Sequence, residues 1–173
     1  YTQWLNEGGT LEADLTVTKF DDERYWVVAS DTAHRHAETW LKRHIPEGAH
    51  AFVTDVTSAY AQINIQGPRS RELLQSLTAS DLSNEAFPFR TAREIDIGFA
   101  RILCVRITYL GELGYELYIP SEQAVHVYDR LVKAGAADYL VKDQLNVTSL
   151  ERCLRYALQQ QRHQEAVRQV NQE

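Results

Sequence analysis

Short runs with a period of two, separated by runs with a helical period, set the plan of this chain. Thr and Val crowd the run from Leu11 to Phe20, and Tyr25-Trp26-Val27-Val28 follows a polar Asp21-Asp22-Glu23-Arg24 turn, so residues 11–30 read as a hairpin. Asp31 or Thr32 can cap a helix that runs to about Ile45, with Ala33, Ala37, Trp40, Leu41 and His44 on one stripe. Strands are expected over Ala51–Val56 and over Tyr60–Gln66, the second with Ile63 and Ile65 on one face. Gly67-Pro68 turns the chain into a helix striped by Leu73, Leu74 and Leu77. Residues 79–89 read as a loop pinned by Phe87, Pro88 and Phe89, and Thr91–Ile97 and Arg101–Tyr109 as two strands around Gly98.

The stretch from Thr108 to Pro120 is the centre of the pattern. Gly111 and Gly114 supply the backbone freedom of a tight turn between two strands. Beyond it, Tyr115, Leu117 and Ile119 alternate with Glu116 and Tyr118, which puts the two sets on opposite faces. Ser121 then caps a helix with Ala124, Val127, Tyr128, Leu131 and Val132 inward, ended by Gly135 at C′. From about Asp143 a helical stripe of Val147, Leu150, Leu154, Ala157 and Leu158 runs out at Gln159-Gln160-Gln161-Arg162-His163, which predicts a frayed or exposed tail. Hairpins with helices set among them predict an α+β fold, a mainly antiparallel sheet with flanking helices.

Composition narrows this little. The 173 residues suffice for one domain with a proper core. A formal net charge of -6 gives no support for nucleic-acid binding through a basic patch. No apolar run nears the roughly 20 residues that span a bilayer, so no membrane partner is expected. Cys104 and Cys153 form no disulfide framework, which makes a reducing compartment the default. The chain does not begin with methionine and reads as an excerpt from a longer polypeptide. His34 and His36 stand two apart on an expected helix and point to different sides, a poor metal geometry. No Gly-x-Gly-x-x-Gly follows a strand, so no dinucleotide site is visible. Glu116 on its strand could be an exposed acid facing water, or a carboxylate that grips the N–H donors of a planar heterocycle.

Four ordered segments carry a resemblance: Asn6–Val17 (Asn-Glu-Gly-Gly-Thr-Leu-Glu-Ala-Asp-Leu-Thr-Val), Ile63–Arg69 (Ile-Asn-Ile-Gln-Gly-Pro-Arg), Asp81–Phe89 (Asp-Leu-Ser-Asn-Glu-Ala-Phe-Pro-Phe), and Thr108–Pro120 with its Gly-Glu-Leu-Gly-Tyr-Glu core. Together they resemble the glycine-cleavage T-protein (aminomethyltransferase) superfamily, and most of all the folate-binding modules of dimethylglycine and sarcosine dehydrogenases. The resemblance covers roughly residues 1–135, as a partial folate-binding domain, and leaves 136–173 as a divergent helical segment.

What the resemblance implies is specific. Asp14 matches the acidic residue that assists one-carbon transfer near the reacting end of tetrahydrofolate, where a carboxylate stabilises positive charge and takes a proton. Glu116 matches the glutamate that binds the pterin, accepting two parallel N–H bonds from its amino-pyrimidine edge. Tyr109, Tyr115 and Tyr118 are candidate stacking faces or core residues. The implied parent oxidises a small N-methyl amine in a separate flavin (FAD) domain, and this module captures the carbon as 5,10-methylenetetrahydrofolate. A non-catalytic regulatory domain of the same fold, as in the regulatory subunit of pyruvate dehydrogenase phosphatase, is the alternative; a glycine-cleavage aminomethyltransferase is a third. Mitochondrial matrix and bacterial cytoplasm both suit the composition. One departure stands out: aligned on Ser149-Leu150, the T-protein's downstream folate-holding Arg is Val147 here. The fragment alone is expected to be inactive.

Overall fold

A computed structural model describes residues 1–136 and the single position Arg155. The helix expected from Asp143, the rest of the 136–173 segment, Val147 and Cys153 lie outside the described residues. Within them the architecture is α+β, with two antiparallel sheets. The first is a meander of β1 (Thr2–Leu5), β2 (Leu11–Lys19) and β3 (Tyr25–Ala29). Helix α1 (His34–Arg43) follows. The second sheet contains β4 (Tyr60–Gln66), β5 (Ala92–Ile97), β6 (Ala100–Val105) and β7 (Gly114–Pro120), in the order β4-β7-β6-β5, with α2 (Ser70–Gln75) and α3 (Ala124–Lys133) beside it.

Period-two alternation explains the layering of the second sheet. Ile63 and Ile65 on β4, Tyr115, Leu117 and Ile119 on β7, and Ile102 and Cys104 on β6 share one face. That face packs with Leu74 of α2 and Val127 and Leu131 of α3 into the main core. The other face carries Leu103, Val105 and Tyr118, against which Trp26 and Val28 of β3 pack. β3 is paired with β2 so that Trp26 sits opposite Thr18 and Val28 opposite Thr16. The first sheet therefore turns its Asp14-Thr16-Thr18 face towards the second.

Four expectations are corrected. Residues 51–56 form no strand: the segment is mostly exposed and finds no partner, and extended propensity without a ladder is not a strand. The strand expected to reach Tyr109 ends at Val105, and residues 106–113 are loop. No side chain caps α1 or the turn before α3. Asp31 Oδ1 accepts from the Thr32 N–H, and Ser121 Oγ donates to the Ser58 carbonyl at 2.8 Å instead. The 79–89 loop is pinned by Leu82 and Phe87, both fully buried, while Phe89 is half exposed. The end of α3 agrees with expectation: Gly135 has φ of 100°, and the Ala136 N–H returns to the Leu131 carbonyl, a Schellman closure.

The 79–89 loop is held by cations. Arg106 donates to the Phe87 carbonyl and to Asn84 Oδ1, Arg71 donates to the same Asn84 oxygen, and Arg93 donates to the Asp81 and Ala86 carbonyls. Arg93 also lies over the Phe87 ring, 4.5 Å from its centroid.

Candidate functional site

Glu116 lies in the middle of β7, opposite Asn64 of β4 and Val105 of β6. Its side chain is half-buried and turned to the inter-sheet face. Oε2 accepts a 2.6 Å hydrogen bond from the Tyr118 hydroxyl, two residues along the same face. Burial, and after it the Glu116 hydrogen bond and charge, push the Tyr118 phenol well above its ordinary pKa, so Tyr118 remains a donor. Tyr118 does not present its ring to solvent. It packs edge-on against Trp26 at 5.7 Å, and Trp26 in turn packs edge-on against Tyr60 at 4.8 Å.

This seam has an aromatic end and a polar end. Along β4 the polar positions Gln62, Asn64 and Gln66 face the same side as Glu116. Gln66 Oε1 accepts from Thr108 Oγ1 at 2.8 Å, and Gln66 Nε2 is buried with no partner. A carboxylate acceptor and an unmatched amide donor on one sheet face suit a planar ligand that carries both N–H groups and a carbonyl, as a pterin does.

Asp14 sits on β2 opposite Gln3 of β1. It is exposed, accepting from the Tyr1 hydroxyl at 2.6 Å and from Gln3 Nε2 at 3.3 Å. The Tyr1 phenol is raised, first by this hydrogen bond. Asp14 and Glu116 are not in contact. They project from the facing sides of the two sheets, with the Trp26–Tyr118 contact as the bridge between those sheets.

The tyrosines separate. Tyr109 stands 70% exposed in the 106–113 loop, accessible to a ligand. Tyr115 is fully buried on the opposite face from Glu116, and its hydroxyl accepts from Arg71 Nε at 3.2 Å. That placement does not let Tyr115 stack on a ligand held by Glu116; it is a core residue. Trp26, Asn64 and Gln66 were not foreseen from the sequence. The alternation of Asn64 and Gln66 with isoleucines on β4 was visible, but the pairing of β4 with β7 was not. His34 and His36 pair separately, with Asp55 Oδ2 and Glu12 Oε2, each at 2.8 Å.

Comparison with known proteins decides the family. The GCVT N-terminal domain family matches residues 1–161. The chain belongs to that family. This GCVT-family chain is 38% identical over 135 residues to 4-methylaminobutanoate oxidase (formaldehyde-forming) of Paenarthrobacter nicotinovorans, covering 78% of this chain and 16% of that protein. It is 32% identical over 155 residues to mitochondrial sarcosine dehydrogenase of Homo sapiens, covering 82% and 17%. It is 30% identical over 136 residues to the mitochondrial pyruvate dehydrogenase phosphatase regulatory subunit of Mus musculus, covering 78% and 16%. The GCVT-family chain thus spans about one sixth of the length of these relatives. Relatives come from both mitochondria and bacteria, and among the described residues no helix is long and apolar enough to cross a membrane.

Proposed function

We propose that this chain is a tetrahydrofolate-binding module of an N-methyl amine dehydrogenase, of the sarcosine or dimethylglycine type. The observation that carries the reading is the inter-sheet face of β7 and β4, where Glu116 stands ready as an acceptor beside an unmatched buried amide donor. Glu116 accepts from the amino-pyrimidine edge of the pterin, with Tyr118 fixing its second oxygen. Asp14, on the facing sheet, holds a negative charge where positive charge develops during transfer and can take a proton there. Tyr109 closes over the ligand from the 106–113 loop. Bound folate supplies the acceptor for a one-carbon unit, taken up as 5,10-methylenetetrahydrofolate. The amine oxidation that yields this carbon belongs to a flavin domain elsewhere in the parent. The three relatives named above include one amine oxidase and one amine dehydrogenase, which supports this class of parent.

The test is titration of 5-formyltetrahydrofolate into the protein, followed by tryptophan fluorescence and repeated with Glu116→Gln. Saturable binding weakened by about 1–3 kcal/mol in the variant is expected, the scale for a charged hydrogen bond lost. A second reading, a non-catalytic regulatory domain, draws on the similarity to the phosphatase regulatory subunit. Absence of saturable folate binding by the unsubstituted protein would select it.

A further inference from the structure

Gln66 ends β4 one residue before Gly67 and pairs with Gly114, two residues before Glu116 on the same face. Its side chain lies flat over the Gly114 Cα. A Cβ built at Gly114 would stand 2.0 Å from Gln66 Oε1 and 2.7 Å from Nε2. A side chain at the first position of β7 would displace the Gln66 amide from where it rests. Thr108 meets the oxygen end of that amide. Thr108 Oγ1 accepts from the Leu110 N–H at 3.2 Å and uses its one proton on Gln66 Oε1. The amide nitrogen is left pointing away, buried and unmatched. A buried polar group without a partner costs about 1–3 kcal/mol, and native folds keep few of them without a reason.

We propose that Gln66 is a second recognition residue of the folate site, its Nε2 donating to the 4-oxo group of the pterin whose amino-pyrimidine edge is accepted by Glu116. The inference rests on the folate reading above. Two residues along one strand are separated by about 7 Å, and the two side chains stand on neighbouring strands on one face of the sheet. The pterin offers the complementary order on adjacent atoms: an exocyclic amino group, a ring N–H, then a carbonyl oxygen. Glu116 as acceptor and Gln66 as donor read that order in one direction only. A 4-amino analogue presents a second N–H group to the Gln66 donor and a bare ring nitrogen in place of the N–H that Glu116 accepts, so it is mismatched at both residues.

The experiment compares tetrahydrofolate with its 4-amino analogue, tetrahydroaminopterin, by fluorescence titration of the full chain. The unsubstituted protein is expected to prefer the 4-oxo ligand by about tenfold or more, the scale of one hydrogen bond in a closed site. Gln66→Glu replaces the donor with an acceptor and should shift the preference toward the 4-amino ligand by about tenfold or more. Because the ratio of two affinities is read, any repulsion between the new carboxylate and Glu116 cancels. Gln66→Leu should reduce the preference without abolishing it, because Glu116 still distinguishes the ring N–H of the 4-oxo ligand from the bare ring nitrogen of the 4-amino one. Thr108→Val removes the bond that holds the amide yet leaves the donor, and should keep the sign of the preference; thermal melts confirm that each variant is folded. If Glu116→Gln weakens both ligands while Gln66→Glu leaves their ratio unchanged, the role of Gln66 is overturned and the folate reading stands. If the unsubstituted protein binds neither ligand saturably, both fall together.

Discussion

Neighbouring residues of β7 live in two different chemistries. Tyr115, Leu117 and Ile119 are sealed in the core against α2 and α3. Glu116, between them, opens onto the seam between the sheets with Asn64 and Gln66 beside it. One side of the strand holds the domain together, and the other side is left with polar groups that have work to do. The difference teaches that site and core share a backbone but not their energetics. A substitution on the sealed face should cost stability, and a substitution on the open face should cost binding.

Leu117→Ala strikes the sealed face hardest. It leaves a cavity and should lower the unfolding free energy by about 2–5 kcal/mol in denaturant titrations. A loss confined to folate affinity, with stability intact, would break the comparison. Tyr115→Phe is milder. It keeps the ring and removes the oxygen that accepts from Arg71, so about 1–3 kcal/mol of stability should go with the unmatched guanidinium N–H. Folate binding by the folded variant should be unchanged, since Tyr115 faces away from Glu116.

On the open face, Tyr118→Phe should reverse that balance. The ring still packs on Trp26, but Glu116 loses the donor that fixes Oε2, and folate affinity should fall by up to about tenfold. The smallest effect at neutral pH concerns Cys104. Burial pushes its thiol from 9.0 up to about 12. A group raised in the folded state contributes stability that is fully present below its ordinary value and is lost as pH rises from about 9 towards 12. Thermal melts of a Cys153→Ser background should show that alkaline loss, and Cys104→Ala should reduce it, the remainder coming from the raised Tyr118 phenol. Thiol reagents should leave Cys104 untouched while the fold is native.

How much of this was legible in the sequence follows from which interactions are local. The faces of β7 were readable because alternation needs only neighbouring residues, and β4 was bounded as Tyr60–Gln66 for the same reason. The end of α3 was readable because Gly135 carries its own signal. Ala51–Val56 misled because propensity cannot supply a partner strand. Gly114 was read as a source of turn flexibility. Its role is instead to leave room for Gln66, which depends on a pairing between strands almost 50 residues apart. Tyr115 looked like a companion of Glu116 because the two are adjacent, and adjacency on a strand means opposite faces. Trp26 was seen as one residue of a hairpin, since its contacts with Tyr60 and Tyr118 join separate sheets. The matches of Asp14 and Glu116 came through resemblance, not through any local pattern.

The arginine-held loop has a consequence for how this domain can be rebuilt. Residues 79–89 look like a spacer that could be exchanged freely between related proteins. Their shape is written elsewhere, in Arg71 on α2, Arg93 on β5 and Arg106 just beyond β6. A chimera that imports the loop without those three side chains would import a floppy tether, open to chymotryptic nicking at Leu82 or Phe89. One that moves all four parts would carry over a finished, protease-resistant piece, so the heritable unit here is a discontinuous set and not a segment.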